Sequence, residues 1–370
     1  MSMIAREQQL TELTYFRGRV AMYALLKALG VRRGDEIALQ AFTCLAVPEG
    51  IMALGAKPLY VDIEPDGFNL SAQDLERKLT PKTRAIVVQH SFGIPADMQP
   101  LLTVAEAHGL PMIEDCCHTL VSGYGGNTVG TLGVGAFYSF EWGKPIVVGI
   151  GGSAVINEPS LRAKVVEAYS HYRQPVARNQ FRLSVQYLAH ALLYRPILYW
   201  PVRALYHRLR AMGAAESNYN PINENTVAKD FSLRMAEPLQ RRLVRKIARL
   251  DDVTTHARQV AEQYQKEINR SDVRHPSPPP GSQVVYARYP LRVQEKARLL
   301  TAAKKANVEL ADWYATPVHP LESKDWRLVH YEPGSCPNVE QRCGEVVTLP
   351  THPKVTDGDV ARTIAFLNKA

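Results

Sequence analysis

The segment Pro111-Met112-Ile113-Glu114-Asp115-Cys116-Cys117-His118 decides how this 370-residue chain is read. A short apolar run opens after a proline and closes on two carboxylates without alternating polarity. That predicts a strand covered on both faces, with its carboxyl end carrying the acids. The same pattern extends outward in both directions. Glu36–Gln40, Pro58–Ile63 and Ala85–Gln89 read as strands upstream, and Ala136–Phe140 and Ser153–Ile156 read as strands downstream. Helical spacing fills the gaps: Arg19 to Leu29 closed by Gly30, Leu45 to Leu54, the polar stretch around Leu75 to Leu79, and Pro100 to His108. Short strands alternating with helices predict an α/β fold whose large domain is built on a mostly parallel sheet. A long amphipathic helix from Pro238 to Ile268 and the breaker Ser277 to Gly281 come next. Val284–Val293, a helix around Gln294 to Ala306 and Val346–Leu349 then predict a smaller C-terminal α+β domain. The division is placed at residues 1–245 and 246–370, with an unusual basic, aromatic insertion at about 160–225.

Composition excludes several classes. Hydrophobic residues make up 46% and charged residues 22%, the balance of a globular chain rather than a disordered one. Five scattered cysteines suit neither a disulfide scaffold nor a zinc motif, so no metal is expected. Arg6, Glu7 and Glu12 interrupt any signal-peptide pattern, and no run of about 20 apolar residues is long enough to span a bilayer. A cytoplasmic enzyme is the expectation. The net charge is +8, and seven arginines with no acid lie between residues 172 and 212, so the basic character is local. It does not describe a chain that coats nucleic acid.

In open α/β sheets ligands bind beyond the carboxyl ends of the strands. Asp115 ends one strand, with His118 three residues on. Ser139-Phe140-Glu141-Trp142-Gly143-Lys144 ends another, and Gly149, Gly151 and Gly152 permit a close return. Taken singly, a strand-end aspartate is a loop cap and a lysine is a solvated charge. Taken in order, Glu-Asp-x-x-His, Ser-Phe-x-x-x-Lys and Gly-x-Gly-Gly resemble the DegT/DnrJ/EryC1/StrS family of fold-type-I, pyridoxal-phosphate-dependent sugar aminotransferases. Gly34-Asp35-Glu36, Gly55 to Pro58 with Val61-Asp62, Thr80 to Ile86, His90 to Met98 and Leu349 to Pro353 are similar to the family as well. The likeness spans nearly the whole chain apart from about residues 160–225.

The resemblance implies roles. Lys144 would join pyridoxal 5'-phosphate through a Schiff base and carry the proton between substrate and cofactor. Asp115 would pair with the pyridinium nitrogen, His118 would face the phenolic oxygen, and Ser139 would hold the phosphate. The phosphate would also sit at the helix start formed by Gly18, Arg19 and Val20. There the family's Gly-Thr-Ala-Ala is replaced by Gly18-Arg19-Val20-Ala21, so Arg19 either forks to the phosphate or turns to solvent or a carboxylate. Thr43 precedes Cys44 where relatives place a stacking aromatic residue, which leaves Phe42 or His118 to cover the ring. Ser232, in Ser232-Leu233-Arg234-Met235, stands at the asparagine that reaches the partner subunit's phosphate. A homodimer with active sites at the subunit interface is implied. So is amino transfer from an amino acid, L-glutamate by resemblance, to a keto-sugar, most simply a nucleotide-linked one, for surface glycans or glycosylated metabolites. The alternatives are an atypical or lipid-linked keto substrate at a membrane surface and a non-catalytic scaffold or regulator. A dehydrase-type relative would carry histidine in place of Lys144. Cys116 and Cys117 read as small packing groups. His319 and His330 lie in the region that borders the sugar pocket in relatives.

Residues 172–212 stand outside the resemblance. Phe181, Val185, Leu188 and Leu192 recur at i, i+4, i+7 and i+11, a continuous apolar helix face. Pro196 and Pro201 are expected to break the remainder of the segment into short pieces. Tyr187, Tyr194, Tyr199, Trp200 and Tyr206 interleave with Arg195, Arg203, Arg208 and Arg210. Two readings stay open: a helix lying in an anionic membrane surface, or a face buried against the protein's own body or its dimer partner.

Overall fold

The computed structural model describes residues 3–212 and 228–369. Seven strands form the central sheet among the described residues: β1 (Leu13–Tyr15), β2 (Glu36–Gln40), β3 (Lys57–Val61), β4 (Thr83–Gln89), β5 (Met112–Asp115), β6 (Gly135–Ser139) and β7 (Gly152–Ile156). Their spatial order is β1-β7-β6-β5-β4-β2-β3. From β3 to β6 neighbours run parallel, whereas β7 is antiparallel to β6 and to β1. The apolar runs of the sequence mark these strands to within a few residues.

Successive residues of a strand face opposite sides, and here both sides are covered. Ile37, Leu39, Val87, Ile113 and Phe137 point into one cluster, shared with Val20, Ala21 and Leu25 of α1 (Gly18–Ala28). Ala38, Ile86, Val88 and Met112 point into another, closed by Met98, Leu101 and Ala105 of the helix Met98–Ala107. The start of α1 lies directly on the sheet. A Cβ on Gly152 would come within 2.4 Å of the Gly18 nitrogen, and one on Gly18 would meet the Ser139 Cβ at 3.0 Å. Only glycine permits that approach.

Beyond β7 the inserted segment forms α2 (Ala177–Leu193) and, after a 3₁₀ turn at Pro196–Leu198, α3 (Tyr199–Ala211). Pro196 does separate the helices. Pro201 does not break α3, because it sits in the first turn, where its missing N–H would have no helical acceptor. On α2, Leu183 is buried in the cluster formed with Leu239 and Leu243. The opposite stripe is uncovered: Phe181 is 72% exposed, Leu188 58% and Leu192 66%. Among the described residues, nothing buries this apolar face.

The helix expected from Pro238 to Ile268 is two helices, α4 (Glu237–Ile247) and α5 (Leu250–Glu267), broken at Ala248 and Arg249. The reason is packing. Leu239, Leu243 and Ile247 enter the cluster under β6, while Val260, Ala261 and Tyr264 enter the larger core shared with the C-terminal sheet. The 245/246 division falls inside α4. The C-terminal sheet holds β8 (Val273–Arg274), β9 (Arg288–Val293) and β10 (Val346–Pro350), all antiparallel. The strand expected from Val284 begins only at Arg288, since Val285 donates its N–H to Ser122 and Ala287 donates to the Phe92 carbonyl. No described helix is long and apolar enough to cross a membrane.

One buried group ties the C-terminal sheet to the insertion. Glu309 accepts from Arg288 of β9 at 2.9 Å and from the Tyr194 hydroxyl at 3.1 Å, with His352 Nε2 at 3.5 Å. Burial alone would raise its pKa, but His352 and Arg288 outweigh burial and hold it at about 2, against an ordinary 4.5. A depressed carboxylate pKa stabilises the fold above the unfolded value, and the contribution is lost as pH falls through the folded one. That contribution is about 3 kcal/mol. Glu309→Gln should therefore lower the urea-unfolding free energy markedly at pH 7 and much less at pH 3. Equal losses at both pH values would show that the carboxylate charge contributes nothing.

Candidate functional site

The site is built at the carboxyl ends of β5 and β6. Glu114 and Asp115 are consecutive in β5, so they face opposite sides. Glu114 is fully buried and accepts the N–H groups of Gly130 at 2.6 Å, Leu132 at 2.7 Å and Gly133 at 2.8 Å. His90 adds a fourth partner through Nε2 at 3.1 Å; its Nδ1 accepts from Ala96 N–H, so Nε2 carries the proton. Burial acts to raise the Glu114 pKa, but His90 and the backbone donors lower it overall. Cys116 lies beside His90 and Glu114. With both Glu114 oxygens taken by backbone donors, this trio is a structural lock.

Asp115 faces the other way. Its Oδ1 accepts Cys117 N–H at 2.9 Å, and among the described residues no cation pairs with it. Burial pushes its pKa up, opposed by Cys117 and by the charge of Lys144. Lys144 lies five residues beyond β6, with Nζ 5.1 Å from the centre of the Trp313 ring. The Lys144 charge also acts on Cys117 and His118, so the amine lies within electrostatic reach of all three groups.

His118 accepts Phe92 N–H on Nδ1 at 3.1 Å, so its proton is on Nε2, which lies 3.3 Å from the Tyr314 hydroxyl. Burial, then Lys144, hold its pKa well below 6.5 and keep the ring neutral. Phe92 stacks on His118 with ring centres 6.2 Å apart and 17° between planes. Phe92 itself has a left-handed φ of 58°, unusual for a bulky residue and held here by backbone bonds to both sides.

Gly18 and Ser139 meet at the start of α1, and the Ser139 hydroxyl accepts only a long 3.5 Å bond from Glu141 N–H. The Val20 N–H turns back to the Arg17 carbonyl at 3.1 Å. Arg19 is buried and pairs with Glu49 at 3.1 Å and Asp230 at 3.3 Å. The carboxylate partner, one of its two expected readings, is present in the fold. Arg17 makes a parallel pair with Glu141 and Asp230. Thr43 is buried, with its hydroxyl donated to Gln89 beside Asp115. Ser232 is exposed on the 229–234 segment, its hydroxyl donated to the Lys229 carbonyl at 3.1 Å. His319 accepts Ala315 N–H and has a pKa lowered by burial to about 4, its ring 5.6 Å from Tyr314.

The sequence pattern gives no sign of Trp313 and Tyr314. Trp313 lies 4.7 Å from His118, and Tyr314 packs on Phe42 at 5.0 Å. Phe42 therefore supports Tyr314, and Trp313 with His118 presents the aromatic surface nearest Lys144. No periodicity marks this pair, which arrives from nearly 170 residues away in sequence. A cleft of about 480 Å³ opens from Lys144 toward Tyr187, His190 and Tyr194 of the insertion and Arg288 and His352 of the C-terminal region.

The residues present fit pyridoxal 5'-phosphate. Asp115 is a buried carboxylate with no paired cation among the described residues, matched to a protonated pyridine nitrogen. The Lys144 amine makes no ion pair among the described residues, and His118 offers a neutral Nε2–H. Gly18 leaves a cradle beside Ser139 that any Cβ would narrow. The DegT/DnrJ/EryC1/StrS aminotransferase family profile matches residues 13–368. The chain is 28% identical over 346 residues to the pleiotropic regulatory protein of Geobacillus stearothermophilus, covering 92% of this chain and 79% of that protein. It is 26% identical over 351 residues to the UDP-2-acetamido-2-deoxy-3-oxo-D-glucuronate aminotransferase of Pseudomonas aeruginosa, covering 95% and 83%. Its fold superposes with a TM-score of 0.77 on a Streptococcus pneumoniae protein assigned as a sugar aminotransferase, at 19% identity over 99% and 90% of the two chains.

The pairing of Arg19 has a measurable consequence. Removing one partner of a buried ion cluster costs about 3–5 kcal/mol. Arg19→Ala should lower the unfolding free energy by that order in protein stripped of cofactor. An arginine serving only to bind phosphate would leave the stripped protein unchanged.

Proposed function

The chain belongs to the DegT/DnrJ/EryC1/StrS aminotransferase family of pyridoxal-phosphate-dependent transaminases, and from that premise we propose that it aminates a keto-sugar carried on a nucleotide, with L-glutamate as donor. The product would enter a cell-surface glycan or a glycosylated metabolite. The observation that carries this reading is the convergence of Lys144, Asp115 and His118 at the ends of two adjacent parallel strands. A relative whose name specifies a UDP-linked 3-oxo sugar supports the substrate class.

Pyridoxal 5'-phosphate, when bound, supplies an electron sink for the carbon that loses its proton. Lys144 Nζ takes the proton from the donor's α-carbon and later delivers one to the acceptor carbon. Asp115 holds a proton on the pyridine nitrogen, a task favoured by burial because a lone carboxylate there gains from a cationic neighbour. His118 offers Nε2–H to the ring's phenolic oxygen. Gly18 and Arg19 at the α1 start, together with Ser139, take the phosphate, Arg19 through its backbone alone, while the Val20 N–H stays on the Arg17 carbonyl. The hydrogen bond from Thr43 to Gln89 steadies the floor beside Asp115. We place the enzyme in the cytoplasm as a homodimer in which Ser232 serves the neighbouring subunit's phosphate.

A second reading, a non-catalytic regulator, draws on the relative named as a pleiotropic regulatory protein. A visible absorption band on adding the cofactor, together with turnover of glutamate, separates the two; a scaffold needs neither. Lys144→Ala should lower transamination by about 10²–10⁴-fold, with an unfolding curve within about 0.5 kcal/mol of the parent. Turnover within tenfold of the parent would remove Lys144 from the chemistry. Asp115→Asn should reduce kcat by about 10²–10³-fold, because an amide cannot hold the nitrogen protonated. Comparable kcat in that variant would make Asp115 structural.

A further inference from the structure

α2 has two faces with different fates. One packs inward: Leu183 is buried against α4, while Tyr187, His190 and Tyr194 line the cleft that contains Lys144. The other carries Phe181, Val185, Leu188 and Leu192, each more than half exposed, and continues into Ile197 at 50%. The twelve residues from Phe181 to Leu192 make this stripe about 16 Å long. A monomeric surface seldom leaves so continuous an apolar patch uncovered.

Within the segment that carries the stripe, charge is of one sign. Residues 172–212 hold seven arginines and no acid, and Arg173, Arg195, Arg203 and Arg208 are exposed. The neighbouring helix α4 packs on the inner side of α2. Arg242 stacks on Tyr187 at 3.7 Å with Lys246 close by at 5.5 Å, and Val244 is 51% exposed. Arg203 lies 5.7 Å from the Trp200 ring.

We propose that the exposed face of α2, with its flanking arginines, docks the protein on an anionic lipid surface. The apolar stripe enters the boundary between headgroups and acyl chains while the arginines stay level with the phosphates. A second copy of this chain is the weaker occupant. A patch straddling a two-fold axis meets itself, which would set arginine against arginine with no acid in the segment to relieve them. Nucleic acid would use the arginines but leave the phenylalanine, leucines and valine wet. Docking in this orientation brings the cleft lined by the other face of α2 next to the lipid headgroups. The surface is argued independently of the sugar chemistry above, and its test needs no turnover.

Full-length protein is sedimented with vesicles of phosphatidylcholine alone or mixed with phosphatidylglycerol, at low and high salt. Binding to the mixed vesicles at low salt should exceed binding to neutral vesicles by more than about tenfold, and should fall in high salt. The double variants Phe181→Asp/Leu188→Asp and Arg195→Glu/Arg208→Glu should each lose at least about tenfold of that binding at the parent's oligomeric size. Failure to bind either vesicle, or parental binding by the arginine variant, overturns the proposal. So does collapse of the apolar variant to a smaller species, which would assign the face to a second copy. If the apolar variant does not fold, the arginine variant, altered only at exposed positions, decides the outcome.

Discussion

The Glu114 carboxylate has no access to water and takes three backbone N–H groups from residues 130–133 and a fourth bond from His90. A buried charge in such a place is tolerated only when every lone pair is satisfied. Meeting that demand draws the 130–133 turn onto β5, so that β6 leaves in register, with Ile113 opposite Gly135 and Asp115 opposite Phe137. Strand geometry alone then has two effects. Glu114 facing the turn sends Asp115 to the opposite side, and β6 ending at Ser139 sets Lys144 one short turn further on. The placement of Asp115 rests on its neighbour Glu114, which faces the other side of the strand.

A second set of buried charges fixes the other wall. Arg17 and Arg19 share Asp230, and reach Glu141 and Glu49 respectively. Through these pairs the 229–234 segment and the turn leading to Lys144 are held against the start of α1. After the glycine that starts α1 this chain carries an arginine and surrounds it with carboxylates. Arg19 thereby adds a buried ion cluster at the start of α1.

The insertion is part of the cleft wall. Lys354 donates to the carbonyls of His190, Ala191 and Tyr194 at 3.3, 2.8 and 3.1 Å, filling acceptors that the end of α2 leaves open. The Tyr194 hydroxyl reaches Glu309, and His190 packs on Trp142 with ring centres 4.4 Å apart. A helix held this firmly on its inner side can keep an apolar outer side exposed without detaching. Any partner of that outer face is thereby coupled in position to the cleft.

Much of this protein is written in local pattern. Uniform apolar runs such as Ala85–Gln89 and Ala136–Phe140 identify strands covered on both faces, because a strand exposed on one side would alternate. Asp115, His118, Ser139 and Lys144 are legible because they follow those strands at short, fixed distances, and the stripe from Phe181 to Leu192 is legible because helical spacing is local. Periodicity carries no information on what lies across the fold. It marked Pro238 to Ile268 as one helix, since both halves are amphipathic, and only their burial in different clusters explains the break at Ala248 and Arg249. It left Arg19 with two partners in prospect; the choice waited on Glu49 and Asp230, 30 and 211 residues away. It said nothing of Trp313 and Tyr314, which belong to no repeating face and reach His118 only when the C-terminal region folds back over β5. The sequence determined which residues could line a sheet and which helix would have an apolar face. Tertiary packing alone decided which charges were neutralised, which aromatic rings faced Lys144, and that the apolar face of α2 would remain uncovered, because each of these depends on contacts between segments that no local spacing relates.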